Sequence, residues 1–222
     1  MPKTTVNHPI FARYYARMSA AMERGGIAEH RQALLAGLTG QVIEVGAGNG
    51  LNFAHYPEQV IRVLAVEPDP HLRRLAELSA AHAPVPVEVA DGVADLLPAG
   101  DGAFDAAVAS LVLCSVPDQG SALAELHRVI RPGGQLRFLE HVRAAGPRLM
   151  RAQRLLDATL WPAFGGGCHA SRDTVTAIQD AGFSIESIER FSFPEARIPF
   201  PTSPHIRGVA ARRPDPAKLR QP

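Results

Sequence analysis

Two rhythms of apolar residues run through the chain. Short unbroken runs, such as Ala106-Ala107-Val108, suit strands buried on both faces. Between them, apolar positions recur every three or four residues, the spacing of a helix with one buried side. The runs predict strands at Gln41–Val45, Ile61–Val66, Val85–Val89, Phe104–Ser110, Gln135–His141, Ile185–Phe193 and His205–Arg212. The stripes predict helices from Pro9 to about Gly25, then Ala28–Leu38, Leu51–Tyr56, His71–His82, Ser121–Ile130 and Arg148–Trp161. After the break at Gly165-Gly166-Gly167, a last helix is expected from an N-cap at Ser171 to Gly182. In His71–His82 the inward side is expected to hold Leu72, Leu75 and Leu78, and in Ser121–Ile130 Leu123, Leu126 and Ile130. Strands alternating with helices require right-handed crossovers, so the class is α/β with a mostly parallel seven-stranded sheet and helices on both faces.

Composition narrows the partners. A chain of 222 residues, 46% of them hydrophobic, can bury a full core as one domain. A net charge of +1 argues against a dedicated nucleic-acid binder. Cys114 and Cys168 are too few for a disulfide framework, and no Cys or His grouping has zinc spacing, so no metal is expected. The start, Met1 to Asn7, lacks the apolar stretch of a signal peptide, and no run of 18 apolar residues exists. A cytoplasmic protein without a transmembrane segment is expected, monomer or homodimer, with peripheral membrane contact left open. Residues 1–39 are expected to form an N-terminal helical lid, 40–213 the main domain, and 214–222 a disordered tail.

The sharpest motif is Val42-Ile43-Glu44-Val45-Gly46-Ala47-Gly48-Asn49-Gly50, leaving a strand and entering the helix expected at Leu51. Such glycines allow a tight turn and close approach of backbone to a ligand, and a helix N-terminus offers free N–H groups. A dinucleotide fingerprint needs its third glycine where Leu51 stands, whereas here it is Gly50. Glu44 ahead of the glycines also favours the cationic amino group of S-adenosylmethionine (SAM). Glu67 ends the second strand about 20 residues after Gly46, the place of a ribose-binding acid, and Pro68 follows it. Asp91-Gly92-Val93 ends the third strand, with Asp91 able to accept the adenine amino group and Val93 able to pack the ring. Ser110 and Leu111, at the end of the fourth strand, lie at the carboxyl edge where ligands bind in open α/β sheets. The cofactor set is completed by Ala47, Asn49 and Asn52.

These residues, with Arg131-Pro132-Gly133-Gly134, resemble the class I SAM-dependent methyltransferases of the ubiquinone/menaquinone and related small-molecule type. A closer resemblance is to the microsomal alkyl-thiol methyltransferases, carried by Leu113-Cys114-Ser115-Val116, Glu140-His141-Val142, Gly167-Cys168 and Pro204-His205-Ile206 with Gly208 and Ala210. It runs from about Gly40 to Ala211 and implies a Rossmann-like sheet with an antiparallel last strand, and SAM as cofactor. It also implies methyl transfer to a small, largely apolar acceptor, with a thiol the first choice. Those enzymes carry an apolar N-terminal anchor and acidic residues after the glycine matching Gly92; this chain has Val93-Ala94 there, and nearby Asp95 is not assigned the role of their catalytic acid.

His141, following the fifth strand, is the leading candidate base, and His169 the second. Tyr14, Cys114, Leu156, Trp161 and Cys168 are expected in the acceptor pocket, with Phe11, Tyr14 and Tyr15 as a lid. The helix Arg148–Trp161 is expected to wall the pocket, although Arg148, Arg151 and Arg154 also suit an amphipathic contact with a membrane. The competing readings are a lipid or quinone N- or C-methyltransferase and a non-catalytic SAM-binding module.

Overall fold

The computed structural model describes residues 9–197 and 199–213, with side chains from Ala12 onward. The expectations for Met1 to Asn7, for the Phe11 side chain and for the tail 214–222 fall outside the described residues. Seven strands form one sheet: β1 (Gly40–Val45), β2 (Val60–Val66), β3 (Val87–Ala90), β4 (Phe104–Ser110), β5 (Ile130–His141), β6 (Phe183–Ser192) and β7 (Pro204–Arg212). Their order is β3-β2-β1-β4-β5-β7-β6. The first five pair in parallel, and β7 is antiparallel to both β5 and β6. The fold is therefore the Rossmann-like α/β sheet expected, with its antiparallel last strand.

Alternation along β1 divides two cores. Ile43 and Val45 face one side, together with Ala122, Leu123 and Leu126 of α4 (Gln119–Val129) and Ile178 of α7 (Thr174–Asp180). Val42 faces the other, with Leu34 and Leu35 of α2 (Ala28–Leu35) and Ala76 of α3 (Pro70–Ala80). Each fully buried leucine contributes about 1.5–3 kcal/mol by leaving water. The strand order reverses between β1 and β4, so a crevice opens where their carboxyl ends diverge.

Several elements depart from expectation for local reasons. The helix foreseen over Leu51–Tyr56 is only a 3₁₀ turn, Phe53–His55. Tyr56 is extended because Pro57 follows it, and the residue before a proline is steered away from helical backbone. In α3, Leu72 and Ala76 face inward while Leu78 is 62% exposed; residues four apart share a helix face, and residues six apart do not. β3 starts after Pro86, which has no N–H for the ladder. The helix foreseen over Arg148–Trp161 is split into α5 (Pro147–Asp157) and α6 (Trp161–Phe164). Thr159 caps the break, its hydroxyl donating to the Leu156 carbonyl and accepting from the Trp161 N–H.

The N-cap of α7 is Asp173, not Ser171. Ser171 instead bonds to Asp157, which also receives the Ala170 and Ser171 amides. At the chain's start, α1 (Pro9–Met22) leads through a π turn at Glu23–Ile27 into α2. Among the described residues, no helix is long and apolar enough to cross a membrane.

Candidate active site

The glycine loop and the end of β2 are built as one unit. Gly46, Gly48 and Gly50 all take left-handed backbone (φ 64°, 58° and 78°). At Gly46 this is compulsory on two counts, because a Cβ there would stand 2.3 Å from Val112 Cγ2. The N–H groups of Gly46 and Ala47 donate to the Val66 carbonyl (2.9 and 3.2 Å). The Gly48 N–H donates to Glu67 Oε2 at 2.8 Å, and the Asp69 N–H to Oε1 at 2.9 Å. Burial raises the Glu67 carboxyl above its ordinary range, while the two amides pull it back.

A second polar group lies beneath the loop. Glu44 is buried and accepts from Asn52 Nδ2 (2.8 Å) and the Tyr56 hydroxyl (2.7 Å). Asn52 in turn accepts from Arg31 (2.8 Å), which also donates to the Ser110 hydroxyl (3.0 Å) and to Glu23 (3.1 Å). Burial pushes the Glu44 carboxyl up to about 7. Glu44, Asn52 and Ser110 therefore brace the loop from behind rather than face a ligand. Sequence reasoning did not find Arg31 or Tyr56, since nothing local marks a helical arginine whose partners lie 21 and 79 residues away.

A cavity of about 530 Å³ occupies the crevice at the carboxyl ends of the strands. Of the expected cofactor residues, Gly46, Gly48, Glu67, Pro68, Gly92, Val93 and Leu111 line it. Ala47 is packed behind it, Asn49 turns to Ser19, and Gly50 packs on Phe53 and Ser79. Asp91 is placed differently from expectation: its side chain is 69% exposed and paired with Arg73 at 2.9 Å, while Asp95 is on the wall. Tyr14 is likewise misplaced at 60% exposed; its neighbour Tyr15 lines the cavity. The loop N–H groups are not the start of a helix, because only the 3₁₀ turn follows.

Among the described residues, the wall contains Glu67, Asp69, Asp95 and Asp118 and no Lys, Arg or His. Such a site favours a cationic ligand and disfavours a diphosphate. A smaller cavity of about 310 Å³ lies against β2 and β3, lined by Arg62, Leu64, Glu88 and Ala90 and by the loop that leads to Phe104.

The turn after β4 forms the other side of the site. Leu111 is the non-glycine residue with left-handed backbone (φ 58°) among those described. The turn is held by Glu140, whose carboxylate accepts the N–H groups of Val112, Leu113 and Cys114 (3.0, 2.9 and 3.2 Å). Burial pushes Glu140 well up, with these three amides pulling the other way.

Next to it His141 Nε2 lies 2.8 Å from Cys168 Sγ, and Cys114 completes a cluster whose donor atoms all fall within 4.8 Å. A hydrogen bond from Cys168 holds the Cys114 thiol well below the ordinary range despite burial, and the nearby His141 adds to this. Burial opposes charge on His141, but the Cys114 thiolate outweighs it and raises the imidazole. His141 Nδ1 is buried and has no hydrogen-bond partner among the described residues.

Cys114 and Cys168 are thus the chain neighbours of the wall residues Ser115 and Gly167, and His141 meets Cys168 off the wall. His169 faces the Gly167 carbonyl (2.7 Å) and does not line the cavity, nor do Leu156 and Trp161.

The residues on this wall fit SAM by their chemistry, a set of carboxylates around a buried ribose-type acid. The family described as "Methyltransferase domain" matches residues 43–138. The chain is 36% identical over 184 residues to the human thiol S-methyltransferase TMT1B, spanning 80% of this chain and 74% of that protein. A SAM-dependent methyltransferase from Thermotoga maritima superposes with a TM-score of 0.67 at 20% identity, over 92% of this chain and 98% of that one. A geranyl diphosphate methyltransferase solved in complex with SAM gives 0.66 at 15% identity, over 90% of each chain. The carboxylate-lined crevice at the sheet's switch point and these likenesses agree: the chain is a SAM-dependent methyltransferase and belongs to the family of the thiol S-methyltransferase TMT1B.

Proposed function

We propose that the enzyme S-methylates a small, largely apolar thiol. The observation that carries this reading is that Cys114-Ser115-Val116 and Gly167-Cys168, two segments of the alkyl-thiol resemblance, border the cofactor cavity through Ser115, Val116 and Gly167. The relative named as a thiol S-methyltransferase supports the choice of acceptor.

Bound SAM supplies the electrophilic methyl group. Glu67 is the residue that would hold its ribose hydroxyls, with the Gly46–Gly48 loop against the methionine portion and Val93 against the adenine. Leu111, Val112 and Val116 offer the acceptor an apolar surface and keep water out. Of the segment 1–39 expected to form a lid, we infer that α1 takes that role, because Tyr15 closes over Gly48, whose added Cβ would stand 3.2 Å from the ring, while α2 packs into the core.

His141 and His169 are off the wall, so neither is assigned direct proton abstraction. A thiol with a pKa of about 8.5 already has a thiolate fraction at neutral pH, and positioning supplies most of the remaining acceleration. Labelled SAM incubated with apolar thiols, quinones, phenols and amines should pass label to the thiols. Label on quinones alone would overturn the reading.

A lipid acceptor is favoured by one observation: Leu155, Leu160 and Phe164 are 66%, 69% and 73% exposed beside the exposed Arg148, Arg151 and Arg154. Label transfer that requires anionic vesicles would select it.

A further inference from the structure

In three segments singled out in the sequence, one side chain each stays off the wall of the cofactor cavity. Their side chains, Cys114, His141 and Cys168, meet although they come from the turn after β4, the end of β5 and the loop after α6. The backbone is shaped for this meeting. Gly167 has φ 88°, and a Cβ on it would stand 2.6 Å from the Ser115 carbonyl oxygen, so only glycine lets the two cysteine-bearing loops touch. The His169 N–H ties them together by donating to the Cys114 carbonyl (2.9 Å). Glu140 fixes the Cys114 amide (3.2 Å), and pairing of His141 with His205 of β7 fixes the imidazole's strand.

We propose that Cys114 Sγ, His141 Nε2 and Cys168 Sγ bind a single zinc ion. Two thiolates and one imidazole form a soft donor set that selects zinc over magnesium or calcium. Two thiolates balance the charge of Zn²⁺, which suits a buried position. With Zn–S about 2.3 Å and Zn–N about 2.0–2.1 Å, tetrahedral ligands stand about 3.6 Å (N to S) and about 3.8 Å (S to S) apart. The observed donor atoms all lie within 4.8 Å of one another, a span that includes both separations, and the 2.8 Å contact between His141 and Cys168 lengthens when the ion enters. Three protein ligands leave a fourth position, the pattern of catalytic rather than structural zinc. The ion would clip together the two loops that supply Ser115 and Gly167 to the cavity wall.

The site is tested on full-length protein under a non-chelating reductant. Equilibrium dialysis against micromolar Zn²⁺ should leave about one zinc per chain. Co²⁺ in its place should give tetrahedral d–d bands and a thiolate-to-cobalt charge-transfer band, both lost in Cys168→Ser. SAM binding by calorimetry reports whether that variant is folded. Because the chain has two cysteines, zinc should also slow alkylation of the wild type by iodoacetamide at least tenfold, a readout that needs no variant. No retained zinc, bands unchanged in Cys168→Ser, or equal alkylation with and without zinc would each overturn the site. None of these readouts depends on which acceptor is methylated.

Discussion

The N–H of Gly48 donates to the carboxylate of Glu67 at 2.8 Å, joining the glycine loop after β1 to the acid that ends β2. The two signals that stood apart in the sequence are one hydrogen-bonded unit. A side chain that would hold ribose hydroxyls also sets the loop against which the methionine end would lie.

Replacing Glu67 with alanine removes the acceptor of the Gly48 and Asp69 amides together with the ribose contact. Hydrogen bonds to a charged group contribute about 1.5–3 kcal/mol, so SAM affinity should fall by about 10- to 100-fold in a calorimetric titration. Unchanged affinity would remove Glu67 from the site.

Gly46→Ala places a methyl group 2.3 Å from Val112 Cγ2 on backbone that costs an L-residue about 1–2 kcal/mol. Val112 lines the cavity, so the clash must move the wall or the loop. The expected outcome is a lowered melting temperature and a loss of SAM heat that Val112→Ala partly restores.

Arg31→Leu leaves Asn52 and the Ser110 hydroxyl without their donor in a buried place. Each buried group left unsatisfied costs about 1–3 kcal/mol. Urea unfolding should show destabilisation of that order, and Arg31→Lys should restore little, since a single ammonium on a flexible stem does not reproduce the guanidinium fork.

Burial pushes Glu44 from its ordinary 4.5 to about 7. Between these values the folded state holds a proton that the unfolded state has released, so stability from this group falls as pH rises through the window. Below 4.5 and above 7 its contribution is level. The stability of Glu44→Gln relative to the wild type should therefore rise by about 2–3 kcal/mol between pH 5 and pH 8. Taking the difference cancels the opposite trend of His205, which burial lowers to about 4. Urea unfolding of both proteins at several pH values measures it; a flat difference would mean that Glu44 is ionised throughout.

What the sequence disclosed was local. Strands buried on both faces show as unbroken apolar runs, and the glycine loop and Glu67 are legible because their roles depend on spacing along the single connection from β1 to β2. What depended on tertiary approach was not. Arg31, Asn52 and Ser110 meet across distant segments, and Cys114, His141 and Cys168 have none of the short spacings that mark a metal motif, His141 and Cys168 being 27 residues apart.

Phase was a second obstacle. The aromatic stripe of α1 announces an inward side, but with Tyr14 and Tyr15 adjacent it does not say which one faces in, and it is Tyr15 that reaches the cavity. Asp91 was placed by its position at a strand end, where Arg73 could draw it outward without any sequence mark.

The central claim is that the carboxylate-lined crevice receives a cationic sulfonium nucleoside. Isothermal titration of the purified protein with SAM, and separately with NAD, tests it most directly. Saturable heat at one SAM per chain, with none from NAD, is the expected result. Heat from NAD with none from SAM would contradict it.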